Sequence, residues 1–184
     1  MSLFNTLDSA VTPREAAAVV LLRGDTDPEV LLVERSMSMR FMPGHHVFPG
    51  GRVDPGDADV PTLNRAGVKN LRFVVAAARE CFEETGILLA TGPHPDDDTL
   101  AAARRAVLTR ETDFATVLSR HGLHIDVSRF TPVGIWVTPP ISPIRFYTRF
   151  FLYRANDVGE ATAIPEDYFR RMGTPRRCPG GMAS

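Results

Sequence analysis

The sequence predicts an α/β protein, a mixed β-sheet with helices on its faces. Strand and helix patterns interleave along the chain without a regular strand–helix–strand alternation, which disfavours a doubly wound parallel sheet. One stretch, Asn70 to Thr85, has the two-sided pattern of a helix made to lie on a sheet. The chain has 184 residues, 43% hydrophobic and 23% charged, which suits one globular domain with a full core. The expected domain is the whole chain, 1–184, with a loose arm over 1–14 and a disordered tail over 173–184.

Taken in order, Glu15 to Arg23 reads as a buried strand, although its alanines could instead start a helix. Arg23-Gly24-Asp25-Thr26-Asp27-Pro28 is a turn, and Glu29 to Glu34 a second strand, so the two should form a hairpin. Ser36 to His46 is a loop. Val47 to Val53 is a short strand broken by Pro49-Gly50-Gly51. Asp54 to Pro61 is acidic and turn-rich, and Thr62 to Lys69 reads as a short helix or a loop insert. After the helix ending at Thr85, Asp96-Asp97-Asp98 precedes a helix over Thr99 to Thr109, where the acids complement the helix dipole rather than bind metal. A further helix spans Glu111 to His121, stopped by Gly122. Phe130 to Thr138 and Arg145 to Tyr153 read as strands, and Pro165 to Met172 as a short helix.

A net charge of −1 gives no global attraction to nucleic acid or to an anionic membrane, and neither is an expected partner. Any anion binding must rest on local clusters. The positive charge is almost all arginine, Lys69 being the sole lysine, which fits a biased genome as well as phosphate binding. Of the two cysteines, Cys81 falls on an apolar helix face and reads as a core residue, and Cys178 lies in the tail. No signal peptide or apolar run near 18 residues is present, so a cytoplasmic protein is expected.

The chemistry is concentrated in Arg79-Glu80-Cys81-Phe82-Glu83-Glu84-Thr85-Gly86-Ile87. Positions three and four apart share a helix face, so Glu80, Glu83 and Glu84 crowd together, and Arg79 can pair with Glu83. Val74, Val75, Ala78, Cys81 and Phe82 fall on the other side, and Gly86 is a natural stop. Single Glu-rich turns are usually solvated faces. The fixed letters here, however, match by chance on the order of once in a million start positions. Crowded carboxylates suit a hard divalent cation.

This stretch resembles the core of the Nudix box of the Nudix hydrolases. The full box reads Gly-x5-Glu-x7-Arg-Glu-U-x-Glu-Glu-x-Gly-U, with U a bulky apolar residue. Gly51 and Asp57 match its first part, with Asp in place of Glu, and Cys81 stands at a U position. Ala58 to Ala78 is longer than the seven residues of the family pattern, so the box is split by an insertion expected to bulge out as a surface loop. The resemblance implies an α/β/α sandwich and a hydrolase of diphosphates linked to another moiety, dependent on Mg2+ or Mn2+. It implies that Glu80 and Glu84 bind the metal, with Glu83 a further ligand or a partner of Arg79, and that the Gly50 carbonyl completes the shell. Asp57 would sit near the metal through water. Arg79, Glu83 and Glu84 are the candidate catalytic residues, and Glu83 could also serve as general base.

Upstream, Leu31-Leu32-Val33-Glu34-Arg35-Ser36, Arg40, Gly44 and Phe48-Pro49-Gly50-Gly51 fall at fixed spacings. They resemble the motif of coenzyme A diphosphatases within the same family, with Val33 where that motif has Thr. The resemblance implies that Arg35, Arg40, Gly44 and Phe48 bind a coenzyme A-like nucleotide, the two guanidinium groups meeting its phosphates. The split box also looks like a subgroup acting on coenzyme A and its thioesters. Alternative substrates are ADP-ribose or NADH, and a rival of another class is a nucleotide-binding module without turnover. Glu160 and Glu166, with Asp167 behind them, are candidates for a general base, and His45 and His46 could touch phosphate. The segment after the last strand is shorter than the family's usual closing helix, which suggests a truncated chain and a possible gain from homodimerisation.

Overall fold

The computed structural model describes residues 11–25, 28–38 and 43–154, together with the backbone of 168–173. Its centre is β1 (Arg14–Arg23), which pairs in parallel with β8 (Phe146–Arg154) over nine positions, Arg14↔Phe146 through Leu22↔Arg154. All other pairings in the main sheet are antiparallel, so the sheet is mixed, as expected. The strand order is β3-β2-β1-β8-β7, with β2 Glu29–Arg35, β3 His46–Val47 and β7 Thr131–Val137. The alanines of β1 are strand residues: Ala17, Val19 and Leu21 alternate onto one buried face, which a helix could not arrange.

The hairpin of β1 and β2 forms around a turn at Gly24 (φ 87°), but the two strands pair only near it, at Leu22↔Val30 and Arg23↔Glu29. Beyond that point the segment His46–Arg52 is wedged between them. Its first part, β3, pairs with β2, and its second, β4 (Gly50–Arg52), pairs with β1.

Above this wedge lies α1 (Leu71–Thr85). Val74, Val75, Ala78, Cys81 and Phe82 are all at most 2% exposed, as the sequence pattern predicts. The consecutive alanines Ala76, Ala77 and Ala78 are wholly buried and let the helix approach the strands closely. Gly86 (φ 77°) ends the helix, its N–H donating to the Phe82 carbonyl at 2.9 Å. α2 (Asp97–Leu108) and α3 (Phe114–Arg120) pack against α1, through Arg104 and through the Phe82–Phe114 ring contact. Their starts are set by Asp96, accepting from Thr99 N–H, and Asp113, accepting from Thr116 N–H. Asp96 is thus a cap, and Asp97 and Asp98 lie in the first turn, where their charges complement the helix dipole. On the opposite sheet face Phe48 packs edge-on against Phe150. None of the helices among the described residues is long and apolar enough to cross a membrane.

Three expectations change. The split-box insertion is not a free bulge: β5 (Thr62–Leu63) pairs in parallel with β6 (Ile125–Asp126), and Asn64 donates to Asp126 at 2.8 Å. Two-residue strands carry no periodic signal, which is why the pattern read as helix or loop. Tyr168–Gly173 is strand β9, antiparallel to β2, not the last turns of a helix from Pro165. An open edge of β2 supplies its backbone partners, and tertiary pairing overrides local propensity. Arg14 and Gly173 accordingly belong to strands rather than to the arm and the tail; 1–10 and 174–184 lie outside the described residues.

Candidate active site

The site is built where β4 passes beneath the last two turns of α1. In antiparallel pairing, alternate residues turn their backbone groups toward and away from the neighbour. Val19 N–H donates to the Pro49 carbonyl and Val53 N–H to the Glu15 carbonyl, so Pro49, Gly51 and Val53 face β1. Gly50 and Arg52 therefore turn theirs away. The freed Gly50 N–H donates to Glu84 Oε2 at 3.1 Å, and the Arg52 carbonyl accepts from Arg79 Nη2 at 2.8 Å. The Gly50 carbonyl, expected to face a metal, is likewise left out of the β1 ladder.

Both glycines are required by close approach. A Cβ at Gly50 would lie 2.5 Å from the Ala17 carbonyl oxygen, and one at Gly51 would lie 2.5 Å from both carboxylate oxygens of Glu80. The Pro-Gly-Gly turn is therefore what lets the acidic helix face rest on backbone.

Arg79 is the hub. It is 8% exposed and makes a two-pronged contact with Asp57, Nε to Oδ1 at 2.8 Å and Nη2 to Oδ2 at 3.2 Å. Its Nη1 donates to Glu80 at 2.9 Å and to Glu83 at 3.3 Å. Burial opposes the charge on Arg79, but Asp57, Glu80 and Glu83 together hold it firmly protonated. Asp57 is 2% exposed and also accepts from Asp54 N–H at 2.7 Å. The expectation that Asp57 approaches a metal through water is thus replaced: its carboxylate is spent on Arg79.

Burial lifts the Glu80 carboxyl to about 7, with Arg79 pulling it down and Glu83 pushing it up. Glu83 is also raised, chiefly by burial, against the downward pull of Arg79. Two carboxylates that resist ionisation beside one another suit a cation. Oxygen donors together with a glycine carbonyl fit a hard divalent ion. Among the described residues no three acidic or histidine side chains already converge around one point. Arg79 Nη1 spans Glu80 and Glu83, so an entering cation competes with that guanidinium.

The pH consequence has a definite sign. A carboxyl raised from 4.5 to about 7 stabilises the metal-free fold at low pH, and that contribution is lost as pH rises toward 7. A divalent ion that needs Glu80 ionised binds better over the same range. Thermal melts with and without Mg2+ should show a metal-induced rise in Tm that grows between about pH 5 and about pH 8. A Tm increment independent of pH would remove Glu80 from metal binding.

The neighbouring groups are supporting. Burial pushes the Cys81 thiol up to about 12, so it is a core residue and not a nucleophile. Arg104 donates Nε to the Glu83 carbonyl at 2.9 Å, satisfying one carbonyl of the helix's last turn. No spacing pattern in the sequence points to Arg104. Arg35 lies at the end of β2, exchanging backbone hydrogen bonds with Gly44 and His45. Gly44 adopts a left-handed backbone (φ 69°) that favours glycine. Phe48 lies on the sheet face away from the carboxylates. His45 contacts the Pro43 carbonyl and His46 lies 3.8 Å from Glu34. Arg40, Glu160, Glu166 and Asp167 lie outside the described residues.

Comparison with known proteins gives the same picture. The solved NUDIX hydrolase of Alicyclobacillus acidocaldarius superposes with a TM-score of 0.71 at 32% identity, over 90% of this chain and 80% of that one. A putative nudix hydrolase 7 of Caenorhabditis elegans is 31% identical over 148 residues, 77% of this chain and 45% of that protein. The acyl-coenzyme A diphosphatase NUDT19 of Gallus gallus is 29% identical over 188 residues, 68% of this chain and 50% of that protein. The chain spans about half the length of these curated relatives. The family model of the NUDIX domain matches residues 12–170, a span that includes the glycine turn, the insertion and the acidic helix alike, and the chain belongs to the Nudix hydrolase family.

Proposed function

We propose that the protein is a divalent-metal-dependent hydrolase that cleaves the diphosphate of coenzyme A or an acyl-coenzyme A. The products are 3′,5′-ADP and phosphopantetheine or its acyl form. The observation that carries this reading is the meeting of β4 and α1, where Glu84 accepts from Gly50 N–H, Glu80 lies against Gly51, Arg79 holds Glu83 beside Glu80, and the Gly50 carbonyl is left out of the β1 ladder. Glu80, Glu84 and the Gly50 carbonyl would hold Mg2+ or Mn2+, with Glu83 either a further ligand or, as the partner of Arg79, free to take a proton. When bound, the metal would neutralise diphosphate oxygens and lower the pKa of the attacking water. Gly50 N–H orients Glu84. Arg79, anchored by Asp57, orients Glu80 and Glu83 and sets how readily they ionise. Glu83, with a raised proton affinity, is suited to accept the proton from water.

The choice of coenzyme A rests on the upstream spacing of Arg35, Arg40, Gly44 and Phe48 and on the acyl-coenzyme A diphosphatases among the relatives. Arg35 and Arg40 would meet the nucleotide phosphates. A cytoplasmic setting, where coenzyme A is plentiful, accords with this substrate. The test is a panel of coenzyme A, acyl-coenzyme A, ADP-ribose and NADH with Mg2+ or Mn2+ and product identification. The expected result is 3′,5′-ADP from the coenzyme A compounds. Turnover of ADP-ribose or NADH alone would assign a different substrate to the same chemistry. Tm shifts without turnover would make the protein a nucleotide-binding module.

A further inference from the structure

A second opening in the molecule lies on the other flank of α1. It is a cavity of about 630 Å³ between the first turns of α1, strands β7 and β8, and the insertion residues Gly67 to Lys69. β4 and β8 flank β1 on opposite sides, so the carboxylate site lies over β4 and this cavity over β8 and β7. Nothing in the proposed hydrolysis uses it. Its walls are apolar, formed by Val68, Val74, Val127, Phe130, Ile135 and Phe151. Two cations interrupt them, Arg149 and Lys69.

Arg149 is out of keeping with its surroundings. It is paired in β8 with Ala17, and so faces the α1 side of the sheet with the core. Its guanidinium sits over the rings of Phe73 at 4.7 Å and Tyr147 at 5.5 Å, and Nη2 reaches the Tyr147 hydroxyl at 3.3 Å. Nε is buried and has no acceptor among the described residues, and no carboxylate among them pairs with Arg149. Arg79, by contrast, is met by three carboxylates and a backbone carbonyl. Aromatic faces offset only part of the cost of taking a guanidinium out of water. An unbranched apolar side chain would fill the same space without that cost.

We propose that this cavity binds an aliphatic carboxylate, its chain along the wall of α1 and β7 and its head group on Arg149. A carboxylate has the planar, two-oxygen shape that a guanidinium edge matches. A phosphate dianion would bring more charge and more lone pairs than one arginine can satisfy, and would set oxygens against Val74 and Phe151. The volume lies within the range of small-molecule sites, and an apolar wall gives affinity through the chain.

The proposal is tested on the full chain by calorimetric titration with decanoate, decanol and inorganic phosphate. Decanoate should bind saturably and at least about ten-fold more tightly than decanol, and phosphate should not displace it. Arg149→Met should abolish the preference for decanoate, and Arg149→Lys should restore part of it. Ile135→Glu, which sets a carboxylate at the partly exposed wall, should weaken decanoate more than decanol. Metal-dependent turnover should be unchanged in the Arg149 variants, since the cavity is separate from the carboxylates. Absence of saturable decanoate binding, an undiminished preference in Arg149→Met, or competition by phosphate would each overturn the assignment.

Discussion

Glu84→Gln should lower metal-dependent turnover by about 10³-fold while leaving the fold intact, since a metal's charge stabilisation amounts to several kcal/mol. Glu80 and Glu83 are both engaged by Arg79, whereas Glu84 is placed by a backbone donor, Gly50 N–H at 3.1 Å. A glutamine keeps an oxygen for that hydrogen bond and nearly the same volume at a position only 8% exposed. What it removes is the negative charge. The loss should therefore appear in Mn2+ affinity as well as in turnover, with Tm in the absence of metal held or slightly raised. Removing one of several crowded carboxylates relieves repulsion in the metal-free protein, which offsets the lost attraction between Glu84 and Arg104. Full activity in Glu84→Gln would take this helix out of the mechanism.

The helix and its acidic face were legible because both follow from spacing alone. Residues three and four apart share a side, and the apolar positions on the other side lie at most 2% exposed. The inertness of Cys81 was legible for the same reason. The two long central strands were read from apolar runs, but their parallel pairing was not, because register between β1 and β8 is a property of segments some 130 residues apart. The two-residue β5 and β6 and the pairing of β9 with β2 depend on partners distant in sequence. At the site, spacing located the carboxylates but not their restraints. That Gly51 exists to admit Glu80, and that the Gly50 N–H is released by β4 to meet Glu84, requires knowing which strand crosses under which helix turn. Arg104 has no sequence signature, since its role depends on α2 packing behind α1.

Asp57→Ala should be the most destabilising single change at the site. The sequence reading places Asp57 near the metal through water, as the counterpart of a glutamate in the family pattern. The structure gives it a different task. Its side chain is 1% exposed, and both its oxygens contact Arg79, which is itself almost buried. Removing Asp57 takes away the two-pronged partner of a nearly buried guanidinium, and breaking such a pair costs up to about 3–5 kcal/mol, of which Glu80 and Glu83 offset a part. For a domain of this size that corresponds to a fall in Tm of roughly 10 °C. Asp57→Asn keeps one acceptor and the contact with Asp54 N–H, so its loss should be smaller. The functional effect follows from the same geometry. Arg79 without Asp57 keeps Glu80, Glu83, the Arg52 carbonyl and the more distant Asp54 at 4.0 Å, and it competes harder with a cation for Glu80 and Glu83. Mn2+ affinity should therefore fall in Asp57→Ala although Asp57 is not a ligand, and Arg79→Met added to Asp57→Ala should recover part of it. A Tm within a degree or so of the parent, or metal affinity that the second substitution leaves depressed, would show that Asp57 acts on the ion directly.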